Sequence, residues 1–569
     1  MDEAALKKLL LKHALANAVK YGGKASLKPV VSKVFAEAPE LRGEARRVVE
    51  EARKVISEVN SMSLDEQKEK LLELWPEALE ERKREERKGL PPLPGVRSDG
   101  FVVTRFAPNP DFVLHLGSAR PAILSYYYAK KMYKGRFILR FEDTDPKVKR
   151  PILEAYNLIR DDLKWLGLTW DEEHIQSRRM EVYYWYAKKL LEKGNAYVCT
   201  HSRDEIKQYR DAGLPDPCRD LPPEEHLERW DRMLAGEYGE GEAVLRIKTD
   251  PAHPNPSVRD WIAFRIIDTS KNPHPLVGDR YTAWPTYNFA CAIDDHLLGV
   301  THILRGKEHA VNTLKQEYVY RYFGWKMPVT IHFGRLHLEG MILSKSVIRR
   351  GIEEGKYPDW RDIRLGTLQA LRRRGILPQA IWDLILEVGV KPSTAVVSVD
   401  KLHALNRKYL EPIADRYMFV PPPYAEVELT GIEEPRASLL YHPSHPERGS
   451  RVVEVPGGKV YLNVNDLKAN DELRLMGLGN FRVEGEAMLR FIGDSLSYAK
   501  EKRLPIIQWA PAATAVHVEV LRARGEELEN IRGPAEPAVA QLQEGAQVQF
   551  IRFGFVKKEG KDAFIYTHD

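Results

Sequence analysis

Hydrophobic and polar positions follow a helical period in the first part of the chain, and near residue 100 they change to an alternation of strands and helices. Ala4 to Tyr21 shows the 3.6-residue period of an amphipathic helix, and Gly22-Gly23 ends it. Ser63 and Glu66 form a capping box, which predicts the start of a further helix. We therefore expect residues 1–88 to form an appended, entirely helical domain.

A run of charges and then of prolines marks the end of this region. Residues 80–88 are all charged, which is typical of a solvated helix, and residues 89–95 read Gly-Leu-Pro-Pro-Leu-Pro-Gly. Proline lacks the amide that a helix needs and clashes with the preceding turn, so the helix cannot continue. We place a domain boundary here, with the helical domain and its linker at 1–97.

From residue 100 the pattern predicts βαβ units. The expected elements are a strand at 101–104, a helix at 118–133, a strand at 136–141 and a helix at 151–165. Such units imply a multidomain protein with a doubly wound, Rossmann-like α/β core, whose ligands bind beyond the carboxyl ends of parallel strands. The loops of interest are therefore 105–117 and 142–147.

After residue 346 helices are expected to about residue 405, and strands with tight turns dominate from 406 onward. Two hairpins are predicted there, 451–455 with 459–464 and 548–556 with 563–567. This part is predicted to be an all-β barrel domain, and barrels of this kind bind single-stranded loops through unstacked bases.

Composition narrows the classes of protein. The chain has 569 residues, so several domains are expected, and 43% hydrophobic residues allow large cores. Its 87 Lys and Arg against 82 Asp and Glu leave +5, which excludes a histone-like polycation. Three cysteines cannot form a disulfide framework, the first residues are charged, and no apolar run reaches the ~20 residues of a membrane span. We expect a cytoplasmic protein without membrane association, and a monomer.

The loop 105–117 combines features that suit a nucleotide phosphate. Its prolines stiffen the backbone, and Gly117 lacks the Cβ that would block a planar ring. Amides at the start of the following helix can face a phosphate, and His115 can donate to a phosphoryl oxygen as charge builds. A proline-rich turn leading into a capped helix can also be purely structural.

These residues also carry a resemblance to a known family. Residues 105–110, Arg-Phe-Ala-Pro-Asn-Pro, followed by His115-Leu116-Gly117-Ser118, resemble the HIGH signature of class I aminoacyl-tRNA synthetases in its glutamyl and glutaminyl form. Ser118 replaces the second histidine. Residues 341–346, Met-Ile-Leu-Ser-Lys-Ser, resemble the KMSKS loop, with Lys345 kept and the first lysine replaced. Residues 285–290 and 294–302, together with Arg305, are similar to the strand and helix of the amino-acid pocket of these enzymes.

The likeness is greatest to the archaeal-type glutamyl enzymes and runs from residue 101 to about 569. It implies activation of glutamate with ATP and Mg²⁺, then transfer to the terminal ribose of tRNA. It also implies the following organisation: a catalytic domain at 98–195 and 286–330, an inserted acceptor-stem-binding domain at 196–285, the KMSKS loop with a helical connective domain at 331–405, and a β-barrel anticodon-binding domain at 406–569.

The resemblance also assigns roles to single residues. The catalytic residues are His115 and Lys345. The ATP-binding residues are Asn109, His115, Gly117, Ser118, Ser344 and Lys345. The glutamate-binding residues are Arg105, Glu142, Tyr287 and Arg305. Asp143 and Asp145 are expected near the terminal adenosine of tRNA, although this acidic loop could instead start a turn or hold a divalent metal as in sugar-nucleotide transferases.

The residue at position 305 distinguishes the glutamyl from the glutaminyl enzymes of this family. Glutaminyl enzymes lack an arginine at this position, and a guanidinium can bind a carboxylate through two parallel hydrogen bonds that an amide cannot offer. An ordinary salt bridge with Asp294 or Glu308 is the alternative for Arg305. Two other functions stay open: a glutaminyl enzyme, and a tRNA-binding regulator with an inactive site, suggested by Ser118 and the altered KMSKS start.

Two short pairs in the inserted region have the spacing of a zinc site. Cys199 and His201 are followed by Asp216 and Cys218, and zinc takes sulfur, imidazole and carboxylate ligands in a tetrahedron. The alternative is a packed cysteine, a surface histidine and a loop. Cys291 is expected in an apolar strand, as part of the core or a pocket wall.

Overall fold

The computed structural model describes residues 3–20, 22–75 and 89–569, and the chain divides into two compact units, Met1–Pro91 and Pro92–Asp569. The first unit contains the helices α1 (Glu3–Lys20), α2 (Leu27–Glu37), α3 (Ala45–Asn60) and α4 (Leu64–Leu74). Their apolar faces share a core that includes Leu10, Val34 and Val48. The predicted capping box is present, since Ser63 and Glu66 exchange side-chain and backbone hydrogen bonds at the start of α4. The predicted charged helix end at 80–88 lies outside the described residues.

The second unit opens with a parallel sheet. Its elements are β1 (Val103–Phe106), α5 (Leu116–Tyr126), β2 (Arg136–Phe141), α6 (Leu153–Trp165), β3 (Glu172–Ile175) and α7 (Met180–Glu192). The strands pair in the order β1-β2-β3, all parallel, as βαβ units require. β1 begins two residues later than the sequence pattern suggests, and the exposed Phe101 lies outside it. The helix predicted to reach Tyr133 is α5 continued by a π-helical segment, Tyr127–Met132.

An antiparallel sheet interrupts this alternation. The inserted elements are β4 (Ala196–Cys199), α8 (Arg203–Ala212), α9 (Pro223–Leu234), β5 (Val244–Ile247), β6 (Ile262–Ile266) and β7 (Ala283–Pro285). The four strands pair in the order β4-β5-β6-β7. Trp230, Phe264 and Trp284 are fully buried and anchor this sheet to the helices α7 and α9.

The parallel arrangement resumes with α10 (Tyr287–Leu297), β8 (His302–Gly306), α11 (Ala310–Phe323) and β9 (Val329–Phe333). β8 and β9 are parallel, and the Thr301 amide donates to the Val103 carbonyl at 2.9 Å, which sets β8 beside β1. The carboxyl ends of β1, β2, β8 and β9 therefore open at one edge. This confirms the Rossmann-like core. The strand expected around Cys291 is wrong, because Cys291 lies inside α10, where its side chain is fully buried.

A mainly helical segment follows. It contains β10 (Leu336–Glu339), α12 (Lys345–Glu353), α13 (Leu368–Arg374), α14 (Pro378–Val388), β11 (Ala395–Ser398) and α15 (Val399–Leu410). The two short strands β10 and β11 pair in parallel. Since Lys345 is the first residue of α12, the loop expected around it ends at Ser344.

The C-terminal part is β-rich, as predicted. Its elements are β12 (Arg416–Tyr417), β13 (Tyr424–Thr430), β14 (Arg436–Leu440), β15 (Ser450–Glu454), β16 (Lys459–Asn463), α16 (Val464–Lys468), β17 (Glu472–Leu475), β18 (Gly479–Val483), β19 (Met488–Gly493), α17 (Leu496–Glu501), β20 (Ile506–Ile507), β21 (Ala510–Pro511), β22 (Val516–Arg524), β23 (Glu527–Ala535), β24 (Gln547–Phe550), β25 (Gly554–Lys558) and β26 (Ala563–His568). A six-stranded sheet has the order β12-β24-β25-β26-β22-β23, and a seven-stranded sheet has the order β20-β17-β18-β19-β13-β16-β21. Phe419, just after β12, bridges to Ala535 at the end of β23, so the two edges of the six-stranded sheet meet.

One predicted hairpin is wrong and the other is present in shorter form. β15 pairs with β14, whereas β16 pairs with β13 and β21, so the turn between β15 and β16 joins strands of different sheets. The local pattern could not show this because β15 pairs with the strand before it, β14, whereas β16 pairs with the more distant β13. β25 and β26 form the second hairpin, but the long strand predicted at 548–556 is divided into β24 and β25.

None of the helices in the described part of the chain combines the length and the apolar character that a membrane span needs.

Candidate active site

A cavity of about 400 Å³ opens where β1, β2, β8 and β9 end. Six residues singled out from the sequence line it: Arg105, His115, Gly117, Glu142, Tyr287 and Arg305. They come from four separate segments, which the parallel sheet brings to one edge. Further lining residues come from the ends of β8 and β9 and include His309, Gly334 and Arg335.

His115 precedes α5 with extended backbone and lies half-buried at one end of the cavity. A Cβ on Gly117 would lie 2.8 Å from Cε1 of His115, so the glycine is what lets the ring occupy this position. Nδ1 of His115 is buried with no hydrogen-bond partner in the described structure. Burial, with the nearby Lys345 charge, lowers the pKa of His115 to about 4, so the ring is neutral at neutral pH.

The helix start offers fewer open amides than the sequence suggests. The Leu116 amide donates to the Gly366 carbonyl at 3.0 Å, and the Ser118 and Ala119 amides donate to the His115 carbonyl. The connection to Gly366 ties α5 to the segment before α13. A ligand at this end of the cavity therefore depends mainly on side chains such as His115.

Lys345 lies near His115 but is held by another residue. Its ammonium pairs with the carboxylate of Asp111, which is almost fully buried. Arg349, one turn further along α12, donates to the Asp111 carbonyl at 2.6 Å. Burial lowers the pKa of Lys345, and the Asp111 contact partly offsets this. Helix α12 thus contacts the loop that precedes His115 through two side chains that bind Asp111.

Arg105 lines the cavity, but its charge is compensated from behind. Its Nε donates to Asp295 at 3.1 Å, and Asp295 also accepts from Arg140 at 2.7 Å. Asp295 is about 1% exposed, and the two guanidinium groups hold the pKa of its carboxyl far below the usual range against the effect of burial. Cys291 completes the cluster, donating to Asp295 at 3.3 Å, and burial raises the pKa of its thiol to about 12.

Glu142 faces the cavity from the end of β2. Arg140, two residues earlier in the strand, donates to it at 2.8 Å. Burial raises the pKa of Glu142, while Arg140 and Arg105 oppose that shift. Arg140 therefore links Asp295 to Glu142 and fixes the carboxylate at the cavity wall.

Arg305 differs from these arginines in its partners. Its guanidinium donates to the Tyr287 hydroxyl at 3.3 Å, to the Thr313 hydroxyl at 2.7 Å and to the Gln316 side-chain oxygen at 2.9 Å. All three groups are neutral, and Arg305 is about 5% exposed. The alternative salt bridges are absent from the described contacts. Asp294 instead accepts from Arg179 at 2.9 Å and from Tyr183 at 2.6 Å.

Besides Lys345, three of the expected ATP-binding residues lie outside the cavity lining: Asn109, Ser118 and Ser344. Asn109 is half-buried with an unpartnered Oδ1 among the described residues, and Ser118 lies in the first turn of α5. Ser344 is exposed and precedes Lys345 at the start of α12. A role for these three residues in binding ATP stays a prediction.

The two aspartates of the acidic loop differ in exposure. Asp143 is fully buried and accepts hydrogen bonds from the Tyr156 hydroxyl at 2.6 Å and from Ser177. Asp145 is partly exposed and pairs with Arg265 at 2.8 Å. Asp143 therefore braces the loop from inside, and a role for either residue at the tRNA terminus stays a prediction.

The inserted region brings together the four predicted zinc ligands. The ligand atoms of Cys199, His201, Asp216 and Cys218 all lie within 4.8 Å of one another. Tetrahedral zinc with sulfur, nitrogen and oxygen ligands needs separations of about 3.3–3.8 Å. Nδ1 of His201 is 3.8 Å from Sγ of Cys218, and Sγ of Cys199 is 3.2 Å from Asp216. The donor set and spacing fit zinc, although Asp216 also accepts from Arg246 at 2.7 Å.

Sequence reasoning assigned no individual role to the residues behind the cavity. Arg140 had a visible signal, because an arginine in an otherwise apolar buried strand needs a buried partner. Asp295 follows Asp294 in a helix that is buried on most sides, which is a similar signal. Gln316 had none, since its contact with Arg305 depends on how α11 packs against β8.

Comparisons with known proteins agree with this geometry. Residues 101–412 match the family model "tRNA synthetases class I (E and Q), catalytic domain", and residues 414–489 match the anti-codon binding domain of the same family. A glutamate–tRNA ligase of Thermofilum pendens is 66% identical, covering 100% of both chains. Glutamate–tRNA ligases of Pyrobaculum islandicum and Pyrococcus furiosus are 54% and 52% identical, each covering 99% of this chain and 100% of the relative. The chain therefore belongs to the class I tRNA synthetases of the E and Q family.

Proposed function

We propose that this chain is a glutamate–tRNA ligase, which activates L-glutamate with ATP and transfers it to the 3′ end of tRNA(Glu). The full-length relatives carry that name. The observation that carries the proposal is Arg305, a buried cation at the cavity wall whose partners are all neutral. A buried charge without a counterion is costly, and a substrate carboxylate would compensate it.

Charge explains how glutamate is chosen over glutamine. The two side chains have nearly the same shape, so packing cannot separate them. Arg305 can donate two hydrogen bonds to a carboxylate, whereas an amide offers one acceptor and a repelled NH₂ group. The lost bond and the unpaired donors cost about 3 kcal/mol, or over 100-fold in discrimination. Tyr287, which accepts from Arg305, bounds the same part of the cavity.

The opposite wall suits the rest of the amino acid. Glu142 lies at the cavity, held by Arg140, and can accept from the ammonium group. Arg105 stays beside it with its charge compensated by Asp295. With the ammonium and the side-chain carboxylate held, the α-carboxylate is left to face the end of the cavity marked by His115.

Adenylate formation follows from this placement. ATP enters as its Mg²⁺ complex, the α-carboxylate oxygen attacks the α-phosphorus, and pyrophosphate leaves. Negative charge increases on the α-phosphate, where the neutral imidazole of His115 can donate a hydrogen bond and Lys345 can supply a positive charge. Lys345 must leave Asp111 to do so. Asn109, Gly117, Ser118 and Ser344 complete the proposed ATP site.

Transfer then uses the tRNA. The terminal ribose 2′-hydroxyl attacks the glutamyl carbonyl, and AMP leaves. The proposed acceptor-stem contacts come from the inserted sheet at 196–285, and the proposed anticodon contacts come from the β-rich part at 406–569. Charging of tRNA(Gln) with glutamate is a second possible outcome, and aminoacylation of that tRNA measures it.

The test is Arg305→Ala. We expect glutamate activation, measured as pyrophosphate exchange with tRNA present, to fall about 100-fold or more, with a small change in the KM for ATP. The ratio of glutamate to glutamine activation should narrow. Arg335→Ala is the matched control, because Arg335 lines the same cavity but is exposed.

Each other outcome supports a different function. Unchanged glutamate kinetics in Arg305→Ala would remove Arg305 from the site, and activation of glutamine by the unmodified chain would support a glutaminyl enzyme. No exchange with either amino acid and either tRNA would support a tRNA-binding regulator.

We further propose a structural zinc ion in the inserted region, held by Cys199, His201, Asp216 and Cys218. The ion would cross-link the end of β4 to the turn before α9, and it takes no part in the reaction. Elemental analysis of the purified protein should give about one zinc per chain, and Cys218→Ser should lose it. Cys291→Ser should keep it, since Cys291 lies in the separate Asp295 cluster. An active preparation without zinc would contradict this proposal.

A further inference from the structure

Arg305 is held from behind by helix α11. Gln316 accepts a hydrogen bond from the guanidinium at 2.9 Å, and Thr313, one turn earlier, accepts from the same nitrogen at 2.7 Å. Gln316 is about 2% exposed. The position of the guanidinium at the cavity wall is therefore set by two residues of this helix.

The orientation of the Gln316 amide is fixed by this contact. Its oxygen faces Arg305, and its Nε2 is buried with no hydrogen-bond partner among the described residues. Turning the amide over would place NH₂ against guanidinium N–H groups, which are also donors. The chain thus keeps a buried donor unpaired, which is unfavourable. A carboxylate of the same size would need no such donor.

We propose that Gln316 is a specificity-determining positioning residue: it fixes Arg305 through a neutral acceptor and so leaves the positive charge for the side-chain carboxylate of the substrate. The inference rests on the proposed function, because it takes Arg305 as the group that binds that carboxylate. Gln316 does not line the cavity and acts only through Arg305.

The Arg105 cluster shows what a carboxylate at this position would do. Asp295 holds Arg105 at 3.1 Å and compensates its charge, so that arginine has little left to attract an anion. Glutamate in place of Gln316 would have the same shape and the same distance to Arg305. It would form a buried ion pair with Arg305 and repel the substrate carboxylate.

The two histidines near Arg305 add no charge of their own. Thr313 is 3.0 Å from Nε2 of His332, and His309 also lines the cavity. Burial, followed by the charge of Arg305, lowers the pKa of both histidines, so they stay neutral. Glu308 also lines the cavity, but it is exposed and pairs with Arg335 at 3.8 Å. Gln316 is therefore the buried position at which replacing an amide with a carboxylate would compensate the charge of Arg305.

Gln316→Glu and Gln316→Met test the proposal together. We expect Gln316→Glu to raise the KM for glutamate by about 30-fold or more, because the introduced carboxylate competes for Arg305. The KM for ATP should stay within about 2-fold, and the glutamate-to-glutamine ratio should fall about 10-fold or more. Gln316→Met removes the hydrogen bond without adding charge, so it should change the KM for glutamate by less than about 10-fold.

A structural role would give a different pattern. If Gln316 only supports packing, both variants would lose activity with glutamate and glutamine alike, and the ratio would not move. Equal effects of Glu and Met at this position would therefore overturn the proposal. Thermal unfolding of each variant, compared with the unmodified chain, separates loss of folding from loss of specificity.

The double variant with Arg305→Ala separates this inference from the proposed function. If Gln316 acts through Arg305, adding the neutral change Gln316→Met to Arg305→Ala should alter glutamate kinetics by less than about 2-fold. A harmful Arg305→Ala with a harmless Gln316→Glu would overturn the inference and leave the function standing. A harmless Arg305→Ala would overturn the assignment of Arg305 itself.

Discussion

Two groups of buried arginines meet at one cavity, and they differ in the charge of their partners. In the Arg105 group, which consists of Arg105, Arg140, Glu142, Cys291 and Asp295, two arginines pair with two carboxylates, those of Asp295 and Glu142. In the Arg305 group, which consists of Tyr287, Arg305, Thr313 and Gln316, one arginine has only neutral partners. The first group is compensated within the protein. The second has a charge left over, and this difference indicates which wall receives an anionic side chain.

The comparison also changes the role expected of Arg105. The sequence suggests that Arg105 adds positive charge to the glutamate pocket. In the structure it lines the cavity, but its Nε is committed to Asp295. Its contribution to a carboxylate would therefore be smaller than that of Arg305, and its main effect is to hold the base of the pocket together.

The largest expected effect is on stability, through Asp295→Ala. This change leaves two buried guanidinium groups without their shared counterion, and breaking a buried pair in this way costs about 3–5 kcal/mol. Arg305→Ala should change the free energy of unfolding by less than about 1 kcal/mol, because it removes a charge that has no counterion. Denaturant unfolding followed by tryptophan fluorescence measures both values.

Asp295→Asn keeps the size of the side chain and serves as the control for lost packing. If Asp295→Asn is as stable as the unmodified chain, or if Arg305→Ala is destabilised as much as Asp295→Ala, the contrast between the two groups is wrong.

The next effect concerns catalysis at a third position, away from both groups. His115→Ala and Lys345→Ala should each lower the rate of adenylate formation by about 100-fold, or about 2.7 kcal/mol, with little change in tRNA affinity. The ratio of glutamate to glutamine activation should not move, because neither side chain contacts the proposed side-chain pocket. Single-turnover kinetics measures the rate, and filter binding measures tRNA affinity. A loss of tRNA binding equal to the loss of rate would indicate a structural role instead.

How far the sequence could predict this site depends on the range of the contacts. His115, Glu142 and Arg305 follow predicted strands or signature motifs, so their meeting at one sheet edge follows from the parallel topology. The partners of the arginines could not be predicted in the same way. Asp295 and Gln316 are reached through helices α10 and α11, and the rotation of a helix against a strand depends on the packing of the whole core.

The range of the contacts also explains which parts of the fold could be predicted from the sequence. The βαβ core was predicted because each unit has a local pattern. The turn between β15 and β16 was misjudged because both strands pair elsewhere, β15 with β14 and β16 with β13. Local alternation indicates a strand but not its partner.

The smallest expected effect is a change in histidine pKa values at the Arg305 group. Burial, and then the charge of Arg305, lowers the pKa of His309 to about 4 and also lowers that of His332. Since the folded-state pKa is below the ordinary value of about 6.5, the unfolded chain binds protons more readily. The stability that neutral His309 provides is therefore fully present above about pH 6.5 and is lost as the pH falls towards about 4.

Arg305→Ala removes the second cause of these shifts. We expect the pKa of His309 and of His332 to rise, with a change in ionisation free energy of at most about 1.4 kcal/mol, measured by NMR titration of the histidine rings. His403, whose pKa is lowered to about 3 by burial and by Arg374, is the internal control and should not move. Saturating glutamate should raise the same two pKa values in the unmodified chain, because its carboxylate would compensate Arg305, whereas glutamine should not. Equal responses to glutamate and glutamine would mean that the substrate carboxylate does not reach Arg305. The contrast between the two groups would then concern only the stability of the folded cavity, and it would not explain a preference for glutamate.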